Sequence, residues 1–111
     1  MLIMNLVQFR DILNTISPNV HHYEASKEKG NYIVWAEEGE GSNLWADNKK
    51  IEQCITGTID YFTKDEFDPL VNTIQDTLTN NEISWSLNSI QYEKETGYTH
   101  YEWVWEVDSL G

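Results

Sequence analysis

Three histidines, one cysteine and a scatter of carboxylates are the residues here that could do chemistry. His21 and His22 are adjacent in a strand-like stretch. Neighbours on a strand point to opposite faces, so the two do not readily share one metal ion. His100 could join one of them, with Cys54 or an acid, but no spacing matches a zinc pattern. Histidines on strands at a surface or interface are the expected outcome. Cys54 lies in a strand-like run, Ile51 to Phe62, and reads as a packed thiol, because a nucleophile would need an activating histidine beside it. Glu102 and Glu106 stand on one face of a strand, about 13 Å apart by strand rise. That exceeds the roughly 6.5–9.5 Å of an inverting glycosidase pair. Gly39 and Gly41 form only a Gly-x-Gly, in an acidic loop that repels phosphate. There is no phosphate loop, no Gly-x-Ser-x-Gly elbow and no dinucleotide fingerprint. The sequence is therefore read as non-enzymatic, with no catalytic residue, no cofactor and no metal ligand.

The whole-chain balance narrows the partners. The 111 residues hold 19 acids and 7 bases, a formal charge of −12. Such a surface repels nucleic-acid phosphates and anionic membranes, so direct binding to either is not expected. One cysteine excludes an intramolecular disulfide framework. The N-terminal apolar run is broken at Asn5, Gln8 and Arg10 and does not read as a signal peptide. No stretch approaches the roughly 20 apolar residues of a membrane span. The chain is read as made in the cytoplasm and kept there, or assembled into a particle there. Its length predicts one domain, 1–111.

The aromatic residues are many: five Trp, six Tyr and three Phe. Trp35, Trp85, Trp103 and Trp105 are expected in the core or on a sheet face. Trp45 differs, because with Leu44 it sits in a polar loop, where adjacent large apolar residues are rare. Aromatic residues of this kind anchor protein interfaces, so Leu44 and Trp45 are the candidate interface residues. Glu37, Glu38 and Glu40, in the same acidic loop, are candidates to line or flank a DNA or subunit surface.

Positioning these residues falls to seven elements. Leu2, Leu6, Phe9, Leu13 and Ile16 are spaced as one helical stripe. Asn5 with Gln8 predicts a capping box, Met4 with Phe9 a staple, and Ser17-Pro18-Asn19 a stop. Val20 to Glu24 and Tyr32 to Ala36 read as strands, and 37–48 as a flexible acidic loop. Lys50 to Phe62 reads as the longest strand, with Gly57 marking a bulge or a close approach by a helix. Phe67, Leu70, Val71, Ile74 and Leu78 form the stripe of a second helix, with Pro69 in its first turn and Asn80-Asn81 at its end. Ser84 to Tyr92 reads as a strand whose phase slips, which predicts a bulge near Asn88. Glu95-Thr96-Gly97 reads as a hairpin turn and Thr99 to Val107 as the last strand, leaving 108–111 as a loose tail. The order α-β-β-β-α-β-β predicts an α+β domain, one mixed sheet of about five strands with both helices against it.

This order resembles the tail-terminator and tail-completion proteins of long-tailed bacteriophages. The resemblance is carried by Ile55 to Val107: ITGTIDYFTKDEFDPLVNTIQDTL, then ISWSLNSIQYEKETGYTHYEWVWEV. It is similar to that family's strand, acid-rich turn, amphipathic helix and closing aromatic hairpin with a Y-x-W-x-W-E-V strand. About half the chain is covered well and the rest by topology alone. The resemblance implies a virion structural protein of the tail or neck, assembled in the bacterial host cytoplasm. It implies a self-associated ring, often a hexamer, that caps the tail tube and meets the tail-tube and head-connector proteins. Such a ring closes through head-to-tail contacts, and a net-negative lumen lets DNA pass without sticking. Two readings of other classes stay open. One is a binding module that uses Tyr101, Trp103 and Trp105 on an exposed sheet face. The other is an acidic DNA mimic.

Overall fold

A computed structural model gives the fold and describes residues 3–26, 28–40 and 52–110. The elements are α1 (Leu6–Asn14), β1 (Val20–His22), β2 (Tyr32–Glu40), β3 (Glu52–Thr63), α2 (Leu70–Asn80), β4 (Ser84–Glu93) and β5 (Tyr98–Leu110). The five strands form one mixed sheet in the order β1-β2-β3-β5-β4. β1 runs parallel to β2, and every other neighbouring pair is antiparallel. The fold is the α+β arrangement that the element order predicts.

Both helices cover one face of the sheet. α1 starts at a capping box: Asn5 Oδ1 accepts from the Gln8 N–H at 2.8 Å, and Gln8 Oε1 accepts from the Asn5 N–H at 2.9 Å. Phe9 and Leu13, one turn apart, are wholly buried. The Phe9 ring stacks 4.0 Å from Trp105 and lies 5.3 Å from Trp35. α2 buries Ile74 and Leu78, and its Gln75 Oε1 accepts from Trp103 Nε1 at 3.1 Å. Trp35, Ile59, Trp103 and Trp105 share this face through the register Trp35↔Ile59↔Trp103, with Trp105 two residues on. They form one core with Ile33, Tyr61, Ile83 and Val107. Alternation along β5 leaves His100, Glu102, Val104, Glu106 and Asp108 on the opposite face, which no helix among the described residues covers.

Several local expectations hold. The register of β4 on β5 shifts between Leu87 and Ser89, which is the bulge at Asn88. It keeps Trp85, Leu87, Ile90 and Tyr92 on the helix side despite their change of parity, opposite Trp105, Trp103, Tyr101 and Thr99. The hairpin turns through Gly97 at φ +78°. At Gly57 the close approach comes from Trp105 and the carbonyl of Ala36 rather than from a helix. The bulge falls beside it in β2, between Glu37 and Gly39.

Four expectations are corrected. β2 runs on to Glu40, so Glu37 to Glu40 are strand, not loop; the remainder of that loop, with Leu44 and Trp45, lies outside the described residues. The expected loose tail is paired instead: Asp108, Ser109 and Leu110 extend β5 against Cys54, Gln53 and Glu52, and Ser109 is buried. Among the described residues β5 spans 13 and β3 spans 12, so β5 is the longer there. Phe67 is not on the α2 stripe. The helix starts at Leu70, and Phe67 is 88% exposed in the turn before it.

The outer half of β4 stands beyond helical cover. α2 has 11 residues, about 16 Å of helix. β4 has 10, about 33 Å of strand. The bond from Trp85 Nε1 to Thr79 Oγ1, 3.0 Å, places the end of α2 over the start of β4. Leu87, Ile90 and Tyr92 are exposed beyond it.

Candidate functional site

The uncovered face of the sheet is the site that the fold sets apart. Alternation and register place its side chains in rows across the strands. Asp60 of β3 pairs with Val34 on one side and Glu102 on the other, and Glu102 pairs with Ser89. The next row is Tyr32, Phe62, His100 and Gln91.

His100 joins these two rows. Its Nε2 lies 2.6 Å from Asp60 Oδ1, and its Nδ1 lies 3.9 Å from Glu93 Oε2. Its ring stacks on Phe62 at 4.2 Å. Burial pushes the Asp60 carboxyl above its ordinary range; His100 pulls it back in part, and neighbouring Glu102 pushes it up again. Glu102 also accepts from Asn88 Nδ2 at 2.7 Å, so the bulge residue is aimed at the carboxylate row. Both ring nitrogens of His100 face carboxylates. Neither is placed to take a proton from a hydroxyl, so no serine-type relay is built around it. Among the described residues no three of His, Cys, Asp and Glu are grouped to hold a metal ion.

One end of this face is closed by aromatic packing. Phe62 stacks on Tyr32 at 4.6 Å, and Tyr98 meets both edge-on. The Tyr98 hydroxyl donates to Gly30 O at 2.8 Å, which straps the 28–31 turn over the cluster. Lys64 Nζ sits 4.9 Å above the Tyr98 ring. The other end is an open hollow of about 260 Å³ lined by Thr56, Ser84, Trp85, Ser86, Val104, Trp105 and Glu106. It is wide open, with apolar and polar residues mixed in its lining, which suits contact with a surface better than capture of a small molecule.

The residues singled out in the sequence are placed as follows. His21 and His22 do face apart: His21 packs edge-on to Tyr32, while His22 stacks on Trp35 at 4.0 Å and bonds Glu37 at 2.6 Å. Burial raises the Glu37 carboxyl, but bonds from His22, its own backbone and Tyr23 outweigh this and lower it. By register Glu37 and Glu40 lie on the helix side of β2, while Glu38 is the exposed extra residue of the bulge. The three acids therefore do not form one surface. Cys54 is buried. Trp103 and Trp105 are at most 1% exposed, so the aromatic platform of the binding-module reading is covered by helices.

Two features escaped the sequence reading. One is the Asp60–His100 pair, which needs strand order to be seen: the residues are 40 apart. The other is the bonding of Asp68, an acid the sequence places at the start of the second helix, whose carboxylate accepts from Tyr61 Oη at 2.6 Å, Thr63 Oγ1 at 2.7 Å and the Leu70 N–H at 2.9 Å. An acid before a helix was a visible signal, but its two hydroxyl donors on β3 were not. No protein-family model matches the chain, and no curated protein matches it.

Proposed function

We propose that this chain is a structural protein of the tail or neck of a long-tailed phage, a terminator that caps the tail tube as a ring and joins it to the head. The observation that supports this reading is the sheet face without helices. It carries Asp60, Glu102, Glu106 and Asp108 by register and alternation, on a chain of charge −12. A ring that turned this face inward would present carboxylates to passing DNA, which like charge keeps from sticking. These four acids suit a lumen wall better than Glu37 and Glu40, which lie on the helix side. The long, narrow shape, 49 × 23 × 23 Å, suits a subunit that stands beside its copies. Leu44 and Trp45 are the proposed anchors on a neighbouring subunit or on the tube.

The same acidic face favours a second reading, a DNA mimic that occupies a nucleic-acid-binding enzyme. Such a mimic acts without a ring. The test is native mass by light scattering, alone and with purified tail-tube protein. A closed ring of about six copies, alone or formed on the tube, is the expected result. Changing both Leu44 and Trp45 to Ser should then leave a folded monomer. A wild-type chain that stays monomeric with the tube overturns the terminator reading.

A further inference from the structure

Phe67 is the most exposed large apolar side chain among the described residues, at 88%. Its backbone sits at φ +53°, the left-handed region that disfavours bulky residues. Its ring meets no other aromatic ring among the described residues, and glycine would suit the turn better.

The turn around it is nevertheless held from three sides. Asp68, the next residue, is bound by Tyr61, Thr63 and the first turn of α2. Two residues back, the Asp65 N–H donates to Thr63 Oγ1 at 3.0 Å. Asn31, from the turn before β2, accepts from the Lys64 N–H and donates to Asp65 Oδ2, both at 2.9 Å. A strained residue persists only where its surroundings over-determine it, and such residues gather at sites of function. Here the surroundings hold the backbone that carries the exposed ring, so little backbone ordering is left to lose on binding.

We propose that Phe67 is a docking anchor, an exposed aromatic side chain on a preorganised turn that packs against an apolar segment flanked by Lys or Arg on a different protein. The acids around it set the partner's charge. Asp65 and Glu66 are exposed and Asp68 follows, while the nearest base, Lys64, lies over the Tyr98 ring. A second copy of this chain is a poor occupant, because the open hollow on its uncovered sheet face is lined by Glu106 and by no basic residue. The anchor is separate from the ring contacts proposed above and needs none of them.

The test begins with a random dodecapeptide library selected on the immobilised protein. Peptides that pair apolar residues with Lys or Arg should be enriched. Their affinity is then measured by titration calorimetry for wild type, Phe67→Ser, Phe67→Gly and the control Val7→Ser, which changes another exposed apolar residue. Both Phe67 variants should bind about tenfold more weakly or worse, and the control should bind like wild type. The Phe67→Gly variant should unfold at no lower a temperature than wild type, which separates an anchor from a packed residue. Failure to enrich any peptide, enrichment of acidic ones, equal binding by the Phe67 variants, or a lower unfolding temperature for Phe67→Gly overturns the proposal.

Discussion

The indole of Trp105 lies over the bare α-carbon of Gly57, its register partner across the β3–β5 pair. A Cβ at position 57 would come within 2.6 Å of Trp105 Cζ2 and closer still to the carbonyl oxygen of Ala36. Trp105 cannot retreat, because Phe9 stacks on it at 4.0 Å. The Ala36 oxygen belongs to the backbone of β2 and moves only with the strand. Gly57→Ala should therefore cost about 3 kcal/mol through overpacking, read as a lower urea midpoint with an unchanged slope. Gly30, where a Cβ meets nothing, is the control, and Gly30→Ala should change stability by no more than about 0.5 kcal/mol.

The start of α1 offers a second, smaller test. Asn5 and Gln8 satisfy each other's backbone N–H, and both are exposed. Asn5→Ala should cost about 1 kcal/mol. Phe9→Ala, which empties the space between Trp35 and Trp105, should cost about 3–5 kcal/mol. If the two losses were alike, α1 would be held by its cap rather than by its packing.

What the sequence made legible follows from how local each signal is. The capping box, the bulge at Asn88 and the turn at Gly97 are written within a few residues, and each is found where its chemistry places it. Phe67 shows the limit of periodicity. It falls three residues before Leu70 and fits the helical stripe, yet Pro69 and the Asp68 cap start the helix after it. Glu37 to Glu40 look like loop by composition, but the length of β3 opposite them carries β2 onward. The last residues are held by long-range pairing to Glu52, Gln53 and Cys54, which no local pattern reports. The Asp60–His100 pair was hidden for the same reason, because strand order alone brings β3 beside β5.

Asp68 ties β3 to α2, and its removal should be felt in both. The Thr63 and Tyr61 side chains are at most 1% exposed, so their hydroxyls have little access to water as a substitute partner. Asp68→Ala should cost about 3 kcal/mol, since it leaves buried donors unpaired and one helix uncapped. Asp68→Asn keeps one acceptor oxygen and should cost less. Burial alone would raise this carboxyl, but the bonds from Tyr61, Leu70 and Thr63 together lower it below 3.8. A lowered acid contributes stability that is present above its unfolded value and is lost as pH falls through the folded one. The gap between wild type and Asp68→Asn should therefore close as pH is taken from neutral to below 3.8. A gap that stays constant would mean that the charge of Asp68 is not what the donors recognise.

Asp60 should show the opposite slope. Burial and Glu102 raise its carboxyl above 3.8 despite the pull of His100. In the window between the unfolded and the raised folded value, the native state binds more protons than the unfolded chain. Stability from this group is then greatest in acid and falls as pH rises through that window. Asp60→Asn keeps an oxygen to accept from His100 Nε2 and carries no charge, so it should lack that fall. At neutral pH it should equal or exceed wild type, because it removes a half-buried carboxylate paired directly with Glu102. Urea unfolding of both proteins across a pH series checks this: the difference, variant minus wild type, should grow as pH rises from 3.8. A flat or falling difference would mean that His100 holds Asp60 charged in the fold. The Asp60 charge would then be engaged by His100 instead of facing a partner, and the case for a DNA-repelling wall would rest on Glu102, Glu106 and Asp108 alone.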